Sequence, residues 1–189
     1  MELIHIFSPE DNPDEGIWAV EYEKGQINAF EEIFENWQNP EYMVEFCEQH
    51  KEDVKTKFGP EIGMAAAAEL LMDEADDLEE LVYNLATSKK SEDKLQHLFK
   101  PLDNRDANLS VLQSTKASIK NREYRDPKCR IYALRVGENT YVVTGGAIKL
   151  TNLMAERPHT EEQLKKLNLV KAWLQQQGIQ YPDDLKNVE

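Results

Sequence analysis

The spacing of apolar residues changes along the chain, and this change limits the folds that the chain can adopt. In residues 1–7 apolar and polar side chains alternate, as in a strand with one buried face. From residue 27 the apolar side chains recur every three or four positions, which is the period of an amphipathic helix. Beyond residue 109 the alternation returns. The predicted strands cover residues 1–7, 17–22, 109–115, 130–136 and 140–150, and the predicted helices cover residues 27–37, 42–51, 60–88, 94–102 and 160–177.

Short local signals set the ends of several of these elements. Asn39 and the proline after it suit the start of a helix, because asparagine caps and proline fits a first helical turn. The sequence Gly-Glu-Asn at residues 137–139 predicts a hairpin turn, and the glycines at 145–146 predict a bulge or a close backbone approach. Thr160 is the expected N-cap of the last helix and Gly178 its expected stop. The second half therefore predicts a hairpin followed by a helix.

The order of the elements predicts the fold class. Two strands are followed by helices, then by three antiparallel strands and a closing helix, which is an α+β arrangement with helices on one side of an antiparallel sheet. The chain has 189 residues, of which 40% are apolar, and this suits one domain with a packed core. We expect a single domain over residues 1–189, with an acidic helical insertion at about 57–90.

Composition argues against several classes of protein. No apolar run approaches the roughly 20 residues that span a bilayer, and Glu2 stands where a signal peptide has positive charge, so we expect a cytoplasmic protein that is not bound to a membrane. Cys47 and Cys129 lie far apart without a metal-ligand spacing, so no disulfide scaffold, metal or other cofactor is expected. The acidic cluster at residues 73–80 is interpreted as a solvated helix face, with a docking face or a metal site as alternatives.

The two halves of the chain carry opposite charge. Residues 1–110 hold 27 acidic and 9 basic side chains, whereas residues 111–189 hold 9 acidic and 13 basic ones, and the whole chain has a net charge of −14. The basic excess is greatest at residues 116–135, where seven lysines and arginines face only Glu123 and Asp126. A surplus of this kind is typical of a polyanion-binding surface.

Residues 129–151 (CRIYALRVGENTYVVTGGAIKLT) resemble the core of the RelE/HigB superfamily of toxin–antitoxin ribonucleases, including its phage-derived branch. In that family a strand with basic and aromatic residues turns through a short hairpin into an apolar strand, then a Lys-Thr segment, then a helix. The strand with Trp18 and the helices at 27–37 and 42–51 resemble the family's β-α-α start, and residues 94–103 resemble the segment before its central sheet. The resemblance implies a RelE-like α+β fold.

The same resemblance implies an activity and a set of site residues. Members of the family cleave mRNA, usually on the ribosome, without a metal, by attack of the RNA 2′-hydroxyl on the adjacent phosphate. Such a site must position the phosphate, stabilise its charge and move protons. The implied catalytic residues are Arg130, Tyr132 and Lys149, with Arg130 and Tyr132 on one face of their strand. The implied RNA-binding residues are Lys116, Lys120, Arg122, Arg135 on the opposite face, and Thr151. The implied partners are RNA or the ribosome, and an antitoxin.

Alternative interpretations remain for the site and for the protein. Arg130 and Arg135 also suit exposed strand positions, and Tyr132 also suits packing on a sheet. Leu150 replaces the second lysine of the family's Lys-Lys-Thr-like segment, and this favours a second hypothesis: a catalytically silent RelE-like module that binds a protein through its acidic helix. A third hypothesis is that the helix at 60–88 covers the basic sheet within the same chain.

Overall fold

The computed structural model describes residues 1–90, 94–103, 110–120 and 126–188, and it confirms the α+β class. The strands are β1 (Glu2–Phe7), β2 (Gly16–Glu21), β3 (Lys100–Pro101), β4 (Gln113–Ala117), β5 (Cys129–Gly137) and β6 (Thr140–Ile148). The α-helices are α1 (Ala29–Trp37), α2 (Pro40–Gln49), α3 (Lys51–Phe58), α4 (Met64–Thr87) and α5 (Pro158–Gln176). Short 3-10 turns cover Leu95–His97, Met154–Glu156 and Pro182–Asn187.

The strands form one sheet in the order β1-β2-β6-β5-β4-β3. Every neighbouring pair is antiparallel except β2 and β6, which run parallel with Gly16 beside Thr140 and Ala19 beside Val143. The prediction of an antiparallel sheet was therefore wrong at this one pair. The β1–β2 hairpin lies beside β6, the last strand of the chain. No local sequence signal indicates a pairing between strands so far apart in sequence.

Helices cover both faces of the sheet, which corrects the expectation of helices on one side. The larger core joins one face to α1–α4 and includes Ile17, Ala133 and Val143 from the strands. The smaller core lies on the other face, where strand residues pack against α5 and the last 3-10 turn. Its buried members include Trp18, Val20, Tyr132, Leu134, Val142, Leu167, Val170 and Leu174. Because both faces are covered, β5 and β6 read as almost continuous apolar runs.

Several predicted element ends are confirmed. The Asn39 side chain accepts the backbone N–H groups of Glu41 and Tyr42 at 2.9 and 3.2 Å, so it caps α2 with Pro40 in the first turn. Asn28 caps α1 in the same way, which was not predicted. The β5–β6 hairpin closes between Gly137 and Thr140, as the turn chemistry predicts.

Other predicted elements differ from the observed ones in their bounds or their type. The helix α3 was not predicted as a separate element, and α4 begins at Met64 rather than at residue 60. Residues 94–102 form a 3-10 turn followed by the short strand β3, and the strand expected at 109–115 is β4. Thr160 lies inside α5, where its hydroxyl donates to the carbonyls of Arg157 and Met154, so it is not the N-cap.

The glycine pair in β6 combines a bulge with close approaches on both faces. The register between β5 and β6 shifts beside Gly145, whose φ of +153° favours glycine. A Cβ at Gly145 would lie 2.2 Å from Gln163 Oε1 in α5, and one at Gly146 would lie 2.9 Å from Ile33 Cγ1 in α1. The two glycines thus let helices pack closely against opposite faces of the same strand.

None of the helices in the described ranges combines the length and the apolar character that a membrane span requires.

Candidate anion-binding site

Three of the predicted site residues meet at one end of the sheet. Lys116 in β4 lies beside Tyr132 in β5, and Arg130 in β5 lies beside Ala147 in β6. Lys149 directly follows β6, and its backbone N–H donates to Lys128 O at 2.8 Å. Side chains alternate between the faces of a strand, so Lys116, Arg130 and Lys149 all project on the α5 side of the sheet.

A fourth cation comes from a different part of the chain. The positive charge of Lys57, in the last turn of α3, lies close enough to that of Lys149 to lower the pKa of Lys149. We name the set Lys57, Lys116, Arg130 and Lys149 the basic cluster. Sequence reasoning missed Lys57, because its position in a short polar helix gives no indication that it meets residues about 60 to 90 positions later.

The members of the basic cluster disfavour one another's charge. Burial lowers the pKa of Lys149, and the charges of Arg130, Lys57 and Lys116 lower it further, against the opposing effect of Glu156. Burial and the charge of Arg130 likewise lower the pKa of Lys116, against the opposing effect of Asp103. A bound anion would relieve both the repulsion and part of the desolvation.

Lys149 also supports the loop that follows β6. Its Nζ donates hydrogen bonds to the carbonyl oxygens of Thr151 and Asn152, at 2.6 and 2.5 Å. The hydroxyl of Thr151 donates to Leu153 O at 3.1 Å. The family-implied pair Lys149 and Thr151 is therefore already engaged in local hydrogen bonds, and the ammonium of Lys149 is held at a fixed position.

Arg130 is the cluster member with the clearest unused capacity. Its side chain is half-buried, and its Nε is buried with no hydrogen-bond partner in the described part of the chain. Asp126 pairs with two neighbouring lysines, at 3.2 Å from Lys128 Nζ and 3.7 Å from Lys57 Nζ, and the charge of Arg130 adds to theirs in lowering the pKa of Asp126. An arginine with an unpaired buried donor suits a ligand that brings its own acceptor, such as a phosphate oxygen.

Tyr132 lies in the core rather than on a surface. It is 0% exposed beneath α5, and burial raises its pKa to about 12. Its hydroxyl has no hydrogen-bond partner among the residues that the structure describes. Tyr132 thus packs on the sheet, which was the alternative to its implied catalytic role. In this position it does not contact a ligand bound at the basic cluster.

The remaining predicted RNA-binding residues do not join the cluster. Arg135 lies on the opposite face of β5, as expected, and it is buried beside Tyr141, whose pKa its charge lowers against a larger effect of burial. Lys120 is exposed beyond the end of β4. Arg122 lies outside the described residues. Of the predicted set, the structure therefore brings together Lys116, Arg130 and Lys149, with Thr151 next to them.

The acidic helix α4 packs on the other face of the sheet. Its buried Glu74 accepts the backbone N–H groups of Lys128 and Cys129, at 2.7 and 2.6 Å, and so holds the start of β5. Sequence reasoning placed Glu74 in a solvated acidic face and missed this contact. Because Lys116, Arg130 and Lys149 project on the α5 side, α4 does not cover these three residues.

No family model, curated protein or solved structure matches the chain. Within the described ranges, no group of three or more His, Cys, Asp or Glu side chains is arranged to hold a metal ion. The chemical character of the site therefore rests on its own geometry.

Proposed function

We propose that this protein binds RNA through the phosphate groups of its backbone, at the basic cluster, as a RelE/HigB-like toxin or a relative of such a toxin. The observation that carries the proposal is the meeting of Lys116, Arg130 and Lys149 on one face of the sheet, with Lys57 beside them. The family resemblance implies catalytic roles for Arg130 and Lys149 and an RNA-binding role for Lys116, and Lys57 adds a cation that it does not imply.

Charge supports a localised site on a protein that is acidic overall. The net charge of −14 would repel a polyanion at long range, but the surplus of acidic residues lies in the first half of the chain. At an ionic strength of 0.15 M, electrostatic fields decay over about 8 Å. Lys116, Arg130 and Lys149 project on the side of the sheet opposite α4, so a phosphate bound to them is separated from most of the carboxylates of α4.

The proposal has a second part, which is that the protein cleaves the RNA it binds. In metal-independent cleavage the 2′-hydroxyl attacks the adjacent phosphorus and the bond to the 5′-oxygen breaks, leaving a 2′,3′-cyclic phosphate and a 5′-hydroxyl. Arg130 suits the stabilisation of charge on the phosphate. Lys149 is a candidate to accept or donate the proton, because its pKa is lowered and so lies closer to neutral pH than that of an ordinary lysine. Tyr132 would require displacement of α5 for such a role.

The binding step is tested with a short fluorescent single-stranded RNA, titrated at several KCl concentrations and followed by anisotropy. Contacts to about three phosphates predict a slope near −2 in log K against log salt, since each contributes about −0.7 for single strands. Arg130→Gln should reduce the size of that slope by about 0.7. Lys165→Gln is the matched control, because Lys165 is an exposed lysine on α5 that pairs with Glu161. An affinity that does not depend on salt would contradict the proposal.

The cleavage step is tested on the same RNA in the presence of EDTA. Products that end in a 2′,3′-cyclic phosphate, formed by the wild type and lost in Arg130→Gln, would support a ribonuclease. Binding without cleavage would retain the RNA-binding proposal and remove the enzymatic part.

A second candidate function is protein binding through the acidic face of α4. The observation in its favour is a groove of about 570 Å³ beside α4, lined by Phe7, Gln38, Asp76, Glu79, Glu80 and Tyr83. Tyr83 is 49% exposed at its rim and packs edge-on against the Phe7 ring, so the groove presents an aromatic surface beside carboxylates. A basic peptide with an apolar side chain matches this chemistry, and an antitoxin is the partner that the family resemblance suggests. Failure of RNA binding, together with saturable binding of such a peptide that Tyr83→Ser abolishes, would favour this candidate.

A further inference from the structure

A cleft opens where β6 continues past the end of its pairing with β2. The pairing of β2 with β6 ends at Ala19 and Val143, whereas β6 continues to Ile148. Among the described residues, no strand covers this part of the β6 edge. Helices α1 and α2 border the gap from one face of the sheet and α5 borders it from the other, and they enclose a cavity of about 310 Å³.

The floor of the cleft presents backbone groups of β6. Because the Lys149 N–H bonds to the neighbouring strand, the alternation along β6 directs the backbone groups of Gly146 and Ile148 towards the cleft. The Ile148 carbonyl accepts from His159 Nε2 at 3.0 Å, and the Thr144 carbonyl accepts from the Tyr22 hydroxyl at 2.6 Å. Gly146 lies between these two and is partly exposed, and outside the sheet ladder no hydrogen bond between described residues is found at its carbonyl. Its carbonyl is an available acceptor.

Aromatic rings form the walls of the cleft. Trp37 and Phe46 are buried against its inner side, and Tyr42 is 40% exposed at its mouth. At one end the rings of His50 and His159 lie 4.7 Å apart, and Phe46 contacts both. These surfaces favour a flat apolar body.

The mouth of the cleft carries an excess of negative charge. Among the described charged groups that line it are the carboxylates of Glu32 and Glu162 and one ammonium, that of Lys166. Lys166 Nζ lies 3.8 Å from Glu32 and 5.2 Å from the centre of the Tyr22 ring, so it offsets one carboxylate and leaves the other. Burial raises the pKa of the Tyr22 hydroxyl, and the nearby charges of Glu32 and Glu162 raise it further.

We propose that this cleft binds a small aromatic amine, with its ammonium at Glu162 and its ring against Trp37 and Phe46. An N–H group on the ring system can donate to the Gly146 carbonyl. A positive charge near aromatic faces and carboxylates is stabilised by both. The ligand must be short, because Tyr22 and His159 bond to backbone carbonyls four residues apart, which is about 13 Å of strand. The proposal is independent of RNA binding, since the cleft and the basic cluster share no residue.

Three indole compounds that differ in charge test the proposal on the whole 189-residue chain. Tryptamine is cationic, tryptophol is its neutral analogue and indole-3-acetate is anionic. Each compound is titrated into the protein at pH 7.5, and binding is followed by NMR through the backbone amide signals and the tryptophan indole N–H signals. We expect tryptamine to shift the Gly146 amide and the Trp37 indole signals in a saturable way. Tryptophol should bind more weakly by about fivefold, because it lacks the charge interaction, and indole-3-acetate more weakly still.

Two single substitutions on α5 separate the role of the cleft from that of overall charge. Glu162→Gln should weaken tryptamine binding by about fivefold without changing the affinity for tryptophol. Glu161→Gln removes the same charge from the neighbouring position, which pairs with Lys165 outside the cleft, and it should leave both affinities unchanged. The absence of tryptamine binding, equal affinity for the three compounds, or equal effects of the two substitutions would overturn the proposal.

Discussion

The guanidinium of Arg157 binds both carboxylate oxygens of Asp53. Its Nε donates to Oδ2 and its Nη2 donates to Oδ1, each at 2.6 Å. Asp53 lies in α3, and Arg157 directly precedes α5, so this bidentate pair joins helices that pack on opposite faces of the sheet. The rings of His50 and His159, which are tilted by 59° to each other, lie beside it. Together these four side chains hold α3 and α5 in contact at one end of the cleft beside β6.

Asp53→Asn should lower the midpoint of urea unfolding by a small amount. The hydrogen bond from Arg157 is the main cause that lowers the pKa of Asp53, so the pair stabilises the fold above the unfolded-state pKa, near 4, and this stability is lost as pH falls through the lower folded pKa. The variant should therefore differ from wild type at pH 7 and converge with it in acid. Glu52→Gln, at the exposed neighbouring position, serves as the control, and an equal loss in both variants would show that the pair contributes nothing specific.

His50 should make stability depend on pH in mildly acidic solution. Burial lowers its pKa, and the charges of His159 and Arg157 lower it further, while Asp53 opposes them; Phe46 packs on its ring. The folded protein therefore favours neutral His50, and stability present above about pH 6.5 is lost as pH falls towards the folded pKa.

The corresponding measurement is the unfolding free energy between pH 7.5 and 5 for wild type and His50→Phe. Phenylalanine keeps the aromatic packing and removes the titration, so the variant should lose less stability on acidification. His97→Gln replaces an exposed histidine and should follow the wild-type curve. A His50→Phe curve parallel to that of wild type would refute the assignment.

Glu74→Ala should destabilise the protein by about 2 to 3 kcal/mol, because it leaves two buried backbone N–H groups without an acceptor. Those donors belong to Lys128 and Cys129 at the start of β5. Glu74→Gln should lose less, since its amide oxygen still accepts. Glu80→Ala, at an exposed position of the same helix, should change stability by less than about 0.5 kcal/mol. Chemical denaturation measures all three, and an equal effect of Glu74→Ala and Glu80→Ala would show that the buried contact is unimportant.

The parts of the fold that could be predicted from sequence are those with local causes. Asn39 with Pro40 starts α2, the Gly-Glu-Asn turn closes the β5–β6 hairpin, and Gly178 follows the end of α5 with a φ of +75°. The parallel pairing of β2 with β6 and the division of helices between two faces depend on contacts distant in sequence. The near-continuous apolar run of β5 indicated burial on both faces, but strand alternation was given more weight.

The candidate site was predictable to a similar extent. The strand positions of Lys116 and Arg130 follow from alternation, and Lys149 follows from the family resemblance, so three members of the basic cluster could be found. The burial of Tyr132 depends on α5 crossing above it, and the approach of Lys57 depends on α3, which was not predicted as a separate helix. Both failures concern tertiary packing rather than local structure.

Expression in a bacterial host connects the basic cluster to a cellular effect. If the proposed ribonuclease acts on mRNA, induced wild-type protein should arrest growth, and transcripts should be cleaved without a metal requirement in vitro. Arg130→Ala/Lys149→Ala removes two of the four cations and should restore growth and intact RNA. Since Lys149 also bonds to two loop carbonyls, the variant's folding is checked by its thermal melting, and the single variant Arg130→Ala, which breaks no observed hydrogen bond, should show at least a partial rescue. Lys165→Ala should remain as harmful as wild type. Normal growth with intact RNA on induction of the wild type would contradict the toxin hypothesis and leave RNA binding, or the groove beside α4, as the function to pursue.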